Sequence, residues 1–131
     1  MSSTLQRYAD RRVLITGAGS GIGQATVLRI LDEGGTVVAA DVSEAGLADT
    51  VAKADSQGDR LSTVRMDVGD EESVRAGFAE ALGATAGLDT LVNAAGILRS
   101  SHFTDTTLAD FEHVVRINLI GTFLVLSLIH I

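Results

Sequence analysis

The chain contains no cysteine and no proline, only one lysine, and few aromatic residues. Without cysteine it has no disulfide and no thiolate metal ligand. We interpret His102 and His113 as solvated or structural side chains and predict no metal site. The formal net charge of −7 lacks the basic excess that nucleic-acid binding requires. We attach no function to the missing proline.

Long hydrophobic runs are also scarce. The first seven residues have no apolar region of the kind that a secretory signal contains. The longest apolar stretch, Leu119 to Ile131, is too short to span a bilayer and is more typical of a buried helix. Hydrophobic residues make up 46% of the 131 residues, which is enough for one buried core. We therefore expect one domain, or part of one, from a cytoplasmic protein that binds neither nucleic acid nor membrane.

Apolar strands alternate with helical segments along the whole chain. The predicted strands are Val13–Thr16, Thr36–Ala40, Leu61–Met66 and Leu88–Val92, and the predicted helices are Ile22–Glu33, Glu44 to about Ser56, Asp70 to about Thr85, and a last helix from Thr107 toward the C-terminus. Continuous apolar strands separated by helices indicate a parallel sheet that is covered on both faces. Right-handed crossovers make such a sheet doubly wound. The predicted fold is α/β, a Rossmann-type doubly wound parallel sheet with four strands.

Glycines cluster between the first predicted strand and the first predicted helix, in the run from Thr16 to Gly23. Glycine permits a tight turn and lets backbone N–H groups approach a ligand without a Cβ in the way. The first turn of the following helix offers unpaired N–H donors and a positive dipole end to phosphates. An ordinary strand–helix turn is the alternative, so the loop needs support from elsewhere in the chain.

A carboxylate, Asp41, ends the second predicted strand. The carboxyl ends of neighbouring parallel strands meet at the ligand-binding edge of such sheets, where Asp41 could accept hydrogen bonds from both hydroxyls of an adenosine ribose. A 2′-phosphate at about 4 Å would be repelled by roughly 4 kcal/mol per charge pair at an effective dielectric constant of about 20. The neighbours Ser20 and Val42 offer no positive charge. NAD(H) is therefore favoured over NADP(H). The alternative to the ribose role is that Asp41 is a solvated aspartate in a turn.

A second aspartate, Asp67, follows the third predicted strand and precedes Val68. The carboxylate could accept a hydrogen bond from the adenine amino group while the valine packs against the ring. An aspartate that caps the next turn is an equally good interpretation of the same position.

Five motifs together resemble the classical branch of the short-chain dehydrogenase/reductase superfamily. They are Thr16-Gly17-x-x-x-Gly21-x-Gly23, Asp41, Asp67-Val68, Asn93-Ala94-Ala95-Gly96 and Asn118. The resemblance covers about residues 10 to 125 and rests on their order and intervals. The glycine spacing differs from the general G-x-G-x-x-G fingerprint and matches the variant of this family.

The resemblance implies a role for each matching residue. It places Gly17, Gly21 and Gly23, with Ile22 beside them, at the pyrophosphate; Asp41 at the adenosine ribose; Asp67 and Val68 at adenine; and Asn93, Ala94, Ala95 and Gly96 along the cofactor cleft. Asn118 matches the catalytic asparagine, which interrupts its helix and holds a water molecule in the proton relay. Considered without the family, Asn118 could instead be a helix-kinking or interface asparagine, because apolar residues surround it at helical spacing.

The family handles the proton with a Tyr-x-x-x-Lys pair and an earlier serine. This chain has one tyrosine, Tyr8, and one lysine, Lys53, which are too far apart to form that pair. We therefore expect the N-terminal part of a dehydrogenase, from a coding sequence interrupted near residue 126, that is inactive and poorly soluble alone.

The resulting hypothesis is an NAD(H)-dependent oxidoreductase that acts on a small-molecule alcohol/ketone pair. The resemblance implies a homodimer or homotetramer as the whole protein. A non-catalytic dinucleotide-binding module or redox sensor is the alternative from a different class. Within the enzyme class, the rival is an extended-branch epimerase or dehydratase, which the glycine spacing disfavours.

Overall fold

The computed structural model describes residues 5–129 and confirms the predicted alternation of strands and helices. The strands are β1 (Arg12–Thr16), β2 (Thr36–Asp41), β3 (Leu61–Arg65) and β4 (Thr90–Asn93). The helices are α1 (Gly21–Asp32), α2 (Glu44–Ala54), α3 (Glu71–Ala84), α4 (Leu108–Val115) and α5 (Gly121–Leu128). Two 3₁₀ turns, Asp55–Arg60 and Phe103–Asp105, and a π-helical turn, Arg116–Ile120, complete the order.

The four strands form one parallel sheet in the order β3-β2-β1-β4. Leu14 on β1 lies opposite Val38 on one side and Leu91 on the other. The chain first builds outward from β1 through β2 to β3, and then returns to the opposite side of β1 for β4. The strand order therefore reverses beside β1, and at such a switch point the loops after the strands open a ligand-binding crevice.

Side chains that alternate along the strands build a core layer on each face of the sheet. Leu14 and Val38 point into the layer that α3 and α5 cover, together with Phe78 and Val125. Val13, Ile15, Val37 and Ala39 point into the layer of α1 and α2, with Val27 and Leu31. Helices thus cover both faces, which confirms the doubly wound arrangement.

Three helices begin at a side-chain cap. The Ser43 hydroxyl accepts from the Gly46 N–H (3.0 Å), Asp70 accepts from the Glu72 N–H (3.0 Å), and the Thr107 hydroxyl accepts from the Asp110 N–H (3.1 Å). Each cap satisfies a backbone donor that lacks a partner within its helix. The predicted ends are less accurate: α2 stops at Ala54, because Asp55 has a φ of +49° and starts a 3₁₀ turn.

The segment Leu108–Leu128 comprises α4, the π-helical turn and α5. Its 21 residues and mean hydropathy of 1.4 are sufficient to cross a membrane by length and composition alone, and it is the one such helix found among residues 5–129. Leu124, Val125 and Leu128 are buried against the sheet, but only 22% of the apolar part of the segment is buried, so the expected buried helix is present only in part. One such helix is weak evidence for a membrane span, because core helices of soluble proteins pass the same test.

Candidate functional site

A cleft of about 600 Å³ opens at the carboxyl ends of the strands, where the strand order reverses. Twelve of the predicted site residues line it: Gly17, Ser20, Gly21, Ile22, Gly23, Asp41, Val42, Asp67, Val68, Ala94, Ala95 and Gly96. Met66, Ile97, His113 and Ile117 line it as well and were missed by the sequence analysis. The fold thus gathers residues from four separate loops into one concave surface.

The three glycines of the motif differ in what they permit. Gly17 has a φ of +66°, and a Cβ there would come within 2.7 Å of the Ala94 carbonyl carbon. Position 17 must therefore be glycine for the loop after β1 to lie against the loop after β4. A Cβ on Gly23 would overlap the Gly17 carbonyl. Gly21 also has positive φ, +53°, but a Cβ there would have no protein neighbour within 4 Å and would point into open space.

The N-terminal end of α1 faces the cleft without a side-chain cap. Ser20 is its N-cap residue, and within the described chain its hydroxyl makes no cap hydrogen bond. The first turn of α1 contains no acidic residue. The N–H groups of this turn and the positive end of the helix dipole are therefore available to an anion in the cleft.

Asp41 ends β2 beside the glycine loop, and two backbone donors fix its carboxylate. Oδ2 accepts from the Gly19 N–H at 2.8 Å, and Oδ1 accepts from the Ser43 N–H at 2.9 Å. Each carboxylate oxygen accepts more than one hydrogen bond, so acceptor capacity is left on both. The carboxylate is therefore oriented by the protein and able to accept from further donors.

Asp67 and Val68 lie at the end of β3, as predicted. The Asp67 Oδ1 accepts from the Gly69 N–H at 2.9 Å, which is the turn-capping interaction that the sequence left open as an alternative. Val68 is 7% exposed, and its Cγ2 contacts the helix at Gly121, where a Cβ would come within 2.7 Å. Both residues also line the cleft, so turn capping and ligand contact are compatible here.

The segment Asn93-Ala94-Ala95-Gly96 leaves β4 and is tied to β1 by Thr16. The buried Thr16 hydroxyl accepts from the N–H groups of Ala94 and Ala95, both at 3.3 Å. Asn93 lies opposite Thr16 in the sheet register and is not among the residues that line the cleft in the described chain. Thr16 is thus an organising residue that the sequence analysis did not single out.

Asn118 lies in the π-helical turn between α4 and α5, and the predicted interruption of the helix at this residue is present. Its side-chain amide brackets one residue of the β4–α4 loop: Oδ1 accepts from the Ile97 N–H at 2.8 Å, and Nδ2 donates to the Ile97 carbonyl at 2.9 Å. Asn118 is not itself among the described cleft-lining residues, whereas its neighbour Ile117 is. The structure therefore shows Asn118 fixing the loop that forms one wall.

Two carboxylates and one histidine, but no lysine or arginine, are the ionisable side chains that line the cleft among residues 5–129. Asp41 and Asp67 contribute carboxylates, and neither lysine nor arginine is among the lining side chains. Arg65 lies opposite Asp41 in the β2–β3 register but does not belong to the described lining. An anionic group in this cleft would be held by backbone N–H groups rather than by side-chain cations.

The single tyrosine and the single lysine of the chain both lie away from the cleft. Tyr8 packs near Gly35 at the opposite end of the sheet, and Lys53 binds Asp49 and Gln24 on the outside of α2. Neither lies in the cleft lining that the structure describes. Within residues 5–129, no three His, Cys, Asp or Glu side chains come together as metal ligands.

Comparison with known proteins places this geometry in context. A family model described as short chain dehydrogenase matches residues 11–130. Levodione reductase from Leifsonia aquatica is 40% identical over 126 residues, which are 94% of this chain and 47% of that protein. Probable oxidoreductase EphD from Mycobacterium tuberculosis is 41% identical over 115 residues, 87% of this chain and 19% of that protein.

Solved structures share the fold. The citronellol catabolism dehydrogenase AtuB from Pseudomonas aeruginosa superposes with a TM-score of 0.88 at 29% identity, over 98% of this chain and 54% of that one. A crystal structure of levodione reductase gives a TM-score of 0.86 at 35% identity, over 95% of this chain and 49% of that one. The chain thus spans about half the length, or less, of the relatives that it matches.

Proposed function

This chain belongs to the short-chain dehydrogenase family, and on that premise we propose that its cleft binds NAD(H) for an oxidoreductase acting on an alcohol/ketone pair. The principal observation is the Asp41 carboxylate, which two backbone donors hold beside an uncapped helix N-terminus. These two groups match the adenosine ribose and the pyrophosphate of a dinucleotide, respectively. The proposed contacts concern the adenosine diphosphate half of the cofactor.

The pyrophosphate would lie over the glycine loop. Gly21 leaves open space where any other residue would place a Cβ, and the first turn of α1 supplies N–H donors. Because the cleft lining of residues 5–129 has no lysine or arginine, these donors and the helix dipole are the main attraction for the phosphates. Ser20 and Ile22 border the same region.

The ribose would donate both hydroxyls to Asp41. A 2′-phosphate in place of the 2′-hydroxyl would face a fixed carboxylate, with repulsion of roughly 4 kcal/mol per charge pair at about 4 Å and an effective dielectric constant of about 20. Val42, which is 53% exposed next to Asp41, offers no compensating charge. These features support NAD(H) in preference to NADP(H).

The adenine ring would lie between Val68 and the loops around it. The Asp67 Oδ1 is engaged by Gly69, which leaves its second oxygen as an acceptor for the adenine amino group. The wall formed by Ala94, Ala95 and Gly96 would border the cofactor on the other side, since these residues line the cleft. Asn93 supports this wall from the end of β4.

Asn118 is the one residue of this chain to which we assign a catalytic role. NAD, when bound, accepts or supplies the hydride at its nicotinamide ring. One lone pair of the Asn118 Oδ1 and one Nδ2–H are used by Ile97, so a second lone pair and a second N–H remain for a water molecule of the proton relay. A serine and a Tyr-x-x-x-Lys pair from beyond these 131 residues would complete the site.

Substrate class and assembly belong to the same proposal. The relative named 3-oxoacyl-[acyl-carrier-protein] reductase, from Aquifex aeolicus, is 38% identical over 113 residues, and its name describes a ketone substrate. Exposed apolar residues on the α4–α5 segment, including Leu119 and Phe123, favour a homodimer or homotetramer. A cytoplasmic protein with access to the NAD(H) pool and no nucleic-acid or membrane partner fits this function.

Turnover separates the proposed enzyme from its main alternative. If the gene encodes a longer chain with a serine and Tyr-x-x-x-Lys, that chain should oxidise NADH with a ketone substrate, while the 131-residue chain should bind NADH without turnover. Replacing Asn118 by Leu in the longer chain should lower kcat more than it changes the Kd for NADH. Full activity of that variant would contradict the catalytic assignment.

A non-catalytic dinucleotide-binding module or redox sensor is the second candidate. The observation that favours it is that Tyr8 and Lys53, the single tyrosine and lysine, lie away from the cleft. This candidate predicts NAD(H) binding by a gene product that has no further catalytic residues. Turnover by the natural gene product would exclude it.

A further inference from the structure

A buried polar network lies beneath the glycine loop, outside the cleft. Thr50 on α2 is completely buried and Gln24 on α1 is 8% exposed. The Thr50 hydroxyl donates to the Ala18 carbonyl at 2.8 Å and accepts from the Gln24 Nε2 at 2.9 Å. A second carbonyl, that of Gly46 in the same helix, lies farther from the hydroxyl, at 3.1 Å. The hydroxyl has one proton, and the shorter contact is the one to the glycine loop.

The contact from Thr50 has a consequence for Asp41 because both act on the same peptide unit. The carbonyl of Ala18 and the N–H of Gly19 belong to one planar trans peptide and point in opposite directions. Thr50 binds the carbonyl, and the Asp41 Oδ2 accepts from the N–H at 2.8 Å. The peptide is held at both ends, so it cannot rotate while both hydrogen bonds are present.

Gln24 orients the Thr50 hydroxyl. By donating to the Thr50 oxygen it occupies a lone pair and directs the hydroxyl proton toward a carbonyl. Gln24 has three further contacts: its Nε2 lies 3.0 Å from the Asp49 Oδ2 and 3.4 Å from the Gly19 carbonyl oxygen, and its Oε1 accepts from the Lys53 Nζ at 3.0 Å. A chain of hydrogen bonds therefore runs from the surface of α2 through Gln24 and Thr50 to the loop.

We infer that Thr50 is a positioning residue for the dinucleotide site: its hydroxyl, oriented by Gln24, fixes the Ala18–Gly19 peptide and thereby holds Asp41 for the ribose. The inference rests on the proposed function of the cleft. By this inference, Thr50 contributes to the preference for NADH over NADPH without contacting the cofactor. Loss of the hydroxyl removes one of the two hydrogen bonds that hold this peptide, so the Gly19 N–H is fixed less firmly against the Asp41 carboxylate.

The test compares two dinucleotides on variants of the whole 131-residue chain. Thr50→Val keeps the shape of the side chain and removes the hydroxyl, whereas Thr50→Ser retains it. The control is Thr26→Val, because the Thr26 hydroxyl bonds the Ile22 carbonyl within its own helix. Dissociation constants for NADH and NADPH are measured by calorimetry, and each variant is checked by thermal unfolding.

Thr50→Val should weaken NADH binding about five- to tenfold, as expected for one hydrogen bond and an unsatisfied carbonyl. NADPH binding should fall less, because the Asp41 carboxylate opposes the 2′-phosphate, so the ratio of the two constants shrinks. Thr50→Ser and Thr26→Val should keep the ratio of the unaltered chain. Gln24→Leu should shrink it in the same direction, and this variant serves if Thr50→Val does not fold.

Equal losses for both dinucleotides, or an unchanged NADH constant in Thr50→Val, would overturn the positioning role and leave the proposed function intact. Binding of neither dinucleotide by the unaltered chain would overturn the proposed function and the role of Thr50 with it. A merely structural contribution of Thr50 would lower the unfolding temperature without moving the ratio, which the paired measurement detects.

Discussion

The Asp41 carboxylate is oriented by Gly19 and Ser43 in the protein alone, at 2.8 and 2.9 Å. A ligand that binds to it does not have to immobilise a flexible side chain, which lowers the cost of association. The same rigidity prevents the carboxylate from turning away from a 2′-phosphate. In the proposed site, affinity for NAD(H) and discrimination against NADP(H) would therefore have one structural origin.

Replacing Asp41 by Ala should raise the Kd for NADH at least about 10-fold, because a single hydrogen bond to a charged group already contributes roughly 1.5–3 kcal/mol. The Kd for NADPH should change much less, since the repulsive charge disappears together with the hydrogen bonds. Asp59→Ala, an exposed aspartate in the 3₁₀ turn, is the control. Equal losses for both dinucleotides would contradict the ribose assignment.

A substitution at Gly21 can test cofactor binding with little effect on folding. Its φ of +53° costs a non-glycine residue roughly 1–2 kcal/mol, and its Cβ would meet no protein atom within 4 Å. Gly21→Ala should therefore fold with a modest drop in stability and lose most of its NADH affinity, because the methyl group enters the pyrophosphate space.

Gly58→Ala is the matched control for Gly21→Ala, since Gly58 also has open space at the Cβ position but lies away from the cleft. Thermal unfolding and NADH titration on both variants check the prediction. Normal NADH binding by a folded Gly21→Ala chain would show that the pyrophosphate does not lie over this glycine.

The sequence is sufficient to predict the site residues that lie directly at strand ends. It is not sufficient to predict the residues whose hydrogen bonds fix the loops of the site. Asp41 and the glycine loop follow recognisable strands, so their convergence is predictable from topology. Thr16 and Thr50 act across separations of 78 and 32 residues, on Ala94 and on Ala18. No local pattern marks a threonine for such a contact, and a single sequence gives no pairing of distant positions.

At the scale of elements, the end of α1 is tied to the N-terminal segment by the ion pair between Glu33 and the half-exposed Arg7. The Glu33 carboxylate is fully buried, and it accepts from Arg7 Nη2 at 2.6 Å and from Arg29 Nε at 2.8 Å. Hydrogen bonds from Arg7, and then from Arg29, lower the pKa of Glu33 from 4.5 to about 2. The charged carboxylate is thus the form that the folded chain favours.

The lowered pKa of Glu33 sets the pH range of its contribution to stability. The contribution is fully present above the ordinary value of 4.5 and is lost as pH falls through the folded-state value of about 2. Glu33→Gln should therefore unfold at a lower temperature than the unaltered chain at pH 6, and the difference should shrink between pH 4.5 and 2.

Thermal unfolding across this pH range checks the Glu33 prediction, with Glu80→Gln as the control because Glu80 is exposed on α3. A difference between Glu33→Gln and the unaltered chain that is constant with pH would show that the ion pairs do not act through the charge of Glu33.

Element boundaries show where local sequence is sufficient and where it is not. The caps of α2, α3 and α4 are local interactions between a side chain and the first turn of its own helix. The start of β4 is not: the apolar Leu88 suggests a strand, but pairing with β1 begins at Thr90, opposite Val13. The extent of that strand is decided by its neighbour, which local propensity does not report.

At the scale of the whole molecule, apolar surface remains open on the α5 side. Leu119 is 67% and Phe123 65% exposed, and β4 pairs with β1 alone among residues 5–129. A separate groove of about 440 Å³ between α3 and the end of α5 is lined mostly by apolar groups, such as Phe78 and Leu128. Open strand edges and apolar patches of this kind favour association.

The 131-residue chain should therefore elute from size-exclusion chromatography as an oligomer or aggregate. Replacing both Leu119 and Phe123 by Ser should increase the monomer fraction, because this removes the two exposed side chains from one helix face. Leu98→Ser, at an exposed loop leucine, should leave the profile unchanged. A sharp, reversible unfolding transition of a monomeric unaltered chain would contradict the prediction.

Calorimetric titration of the unaltered chain with NADH tests the assignment of the cleft most directly. The predicted result is one NADH bound per chain, with NADPH at least about tenfold weaker. ADP-ribose should compete with NADH, because the contacts assigned here all lie on the adenosine diphosphate half. Absence of NADH binding, or NADPH binding as tight as that of NADH, would contradict the assignment.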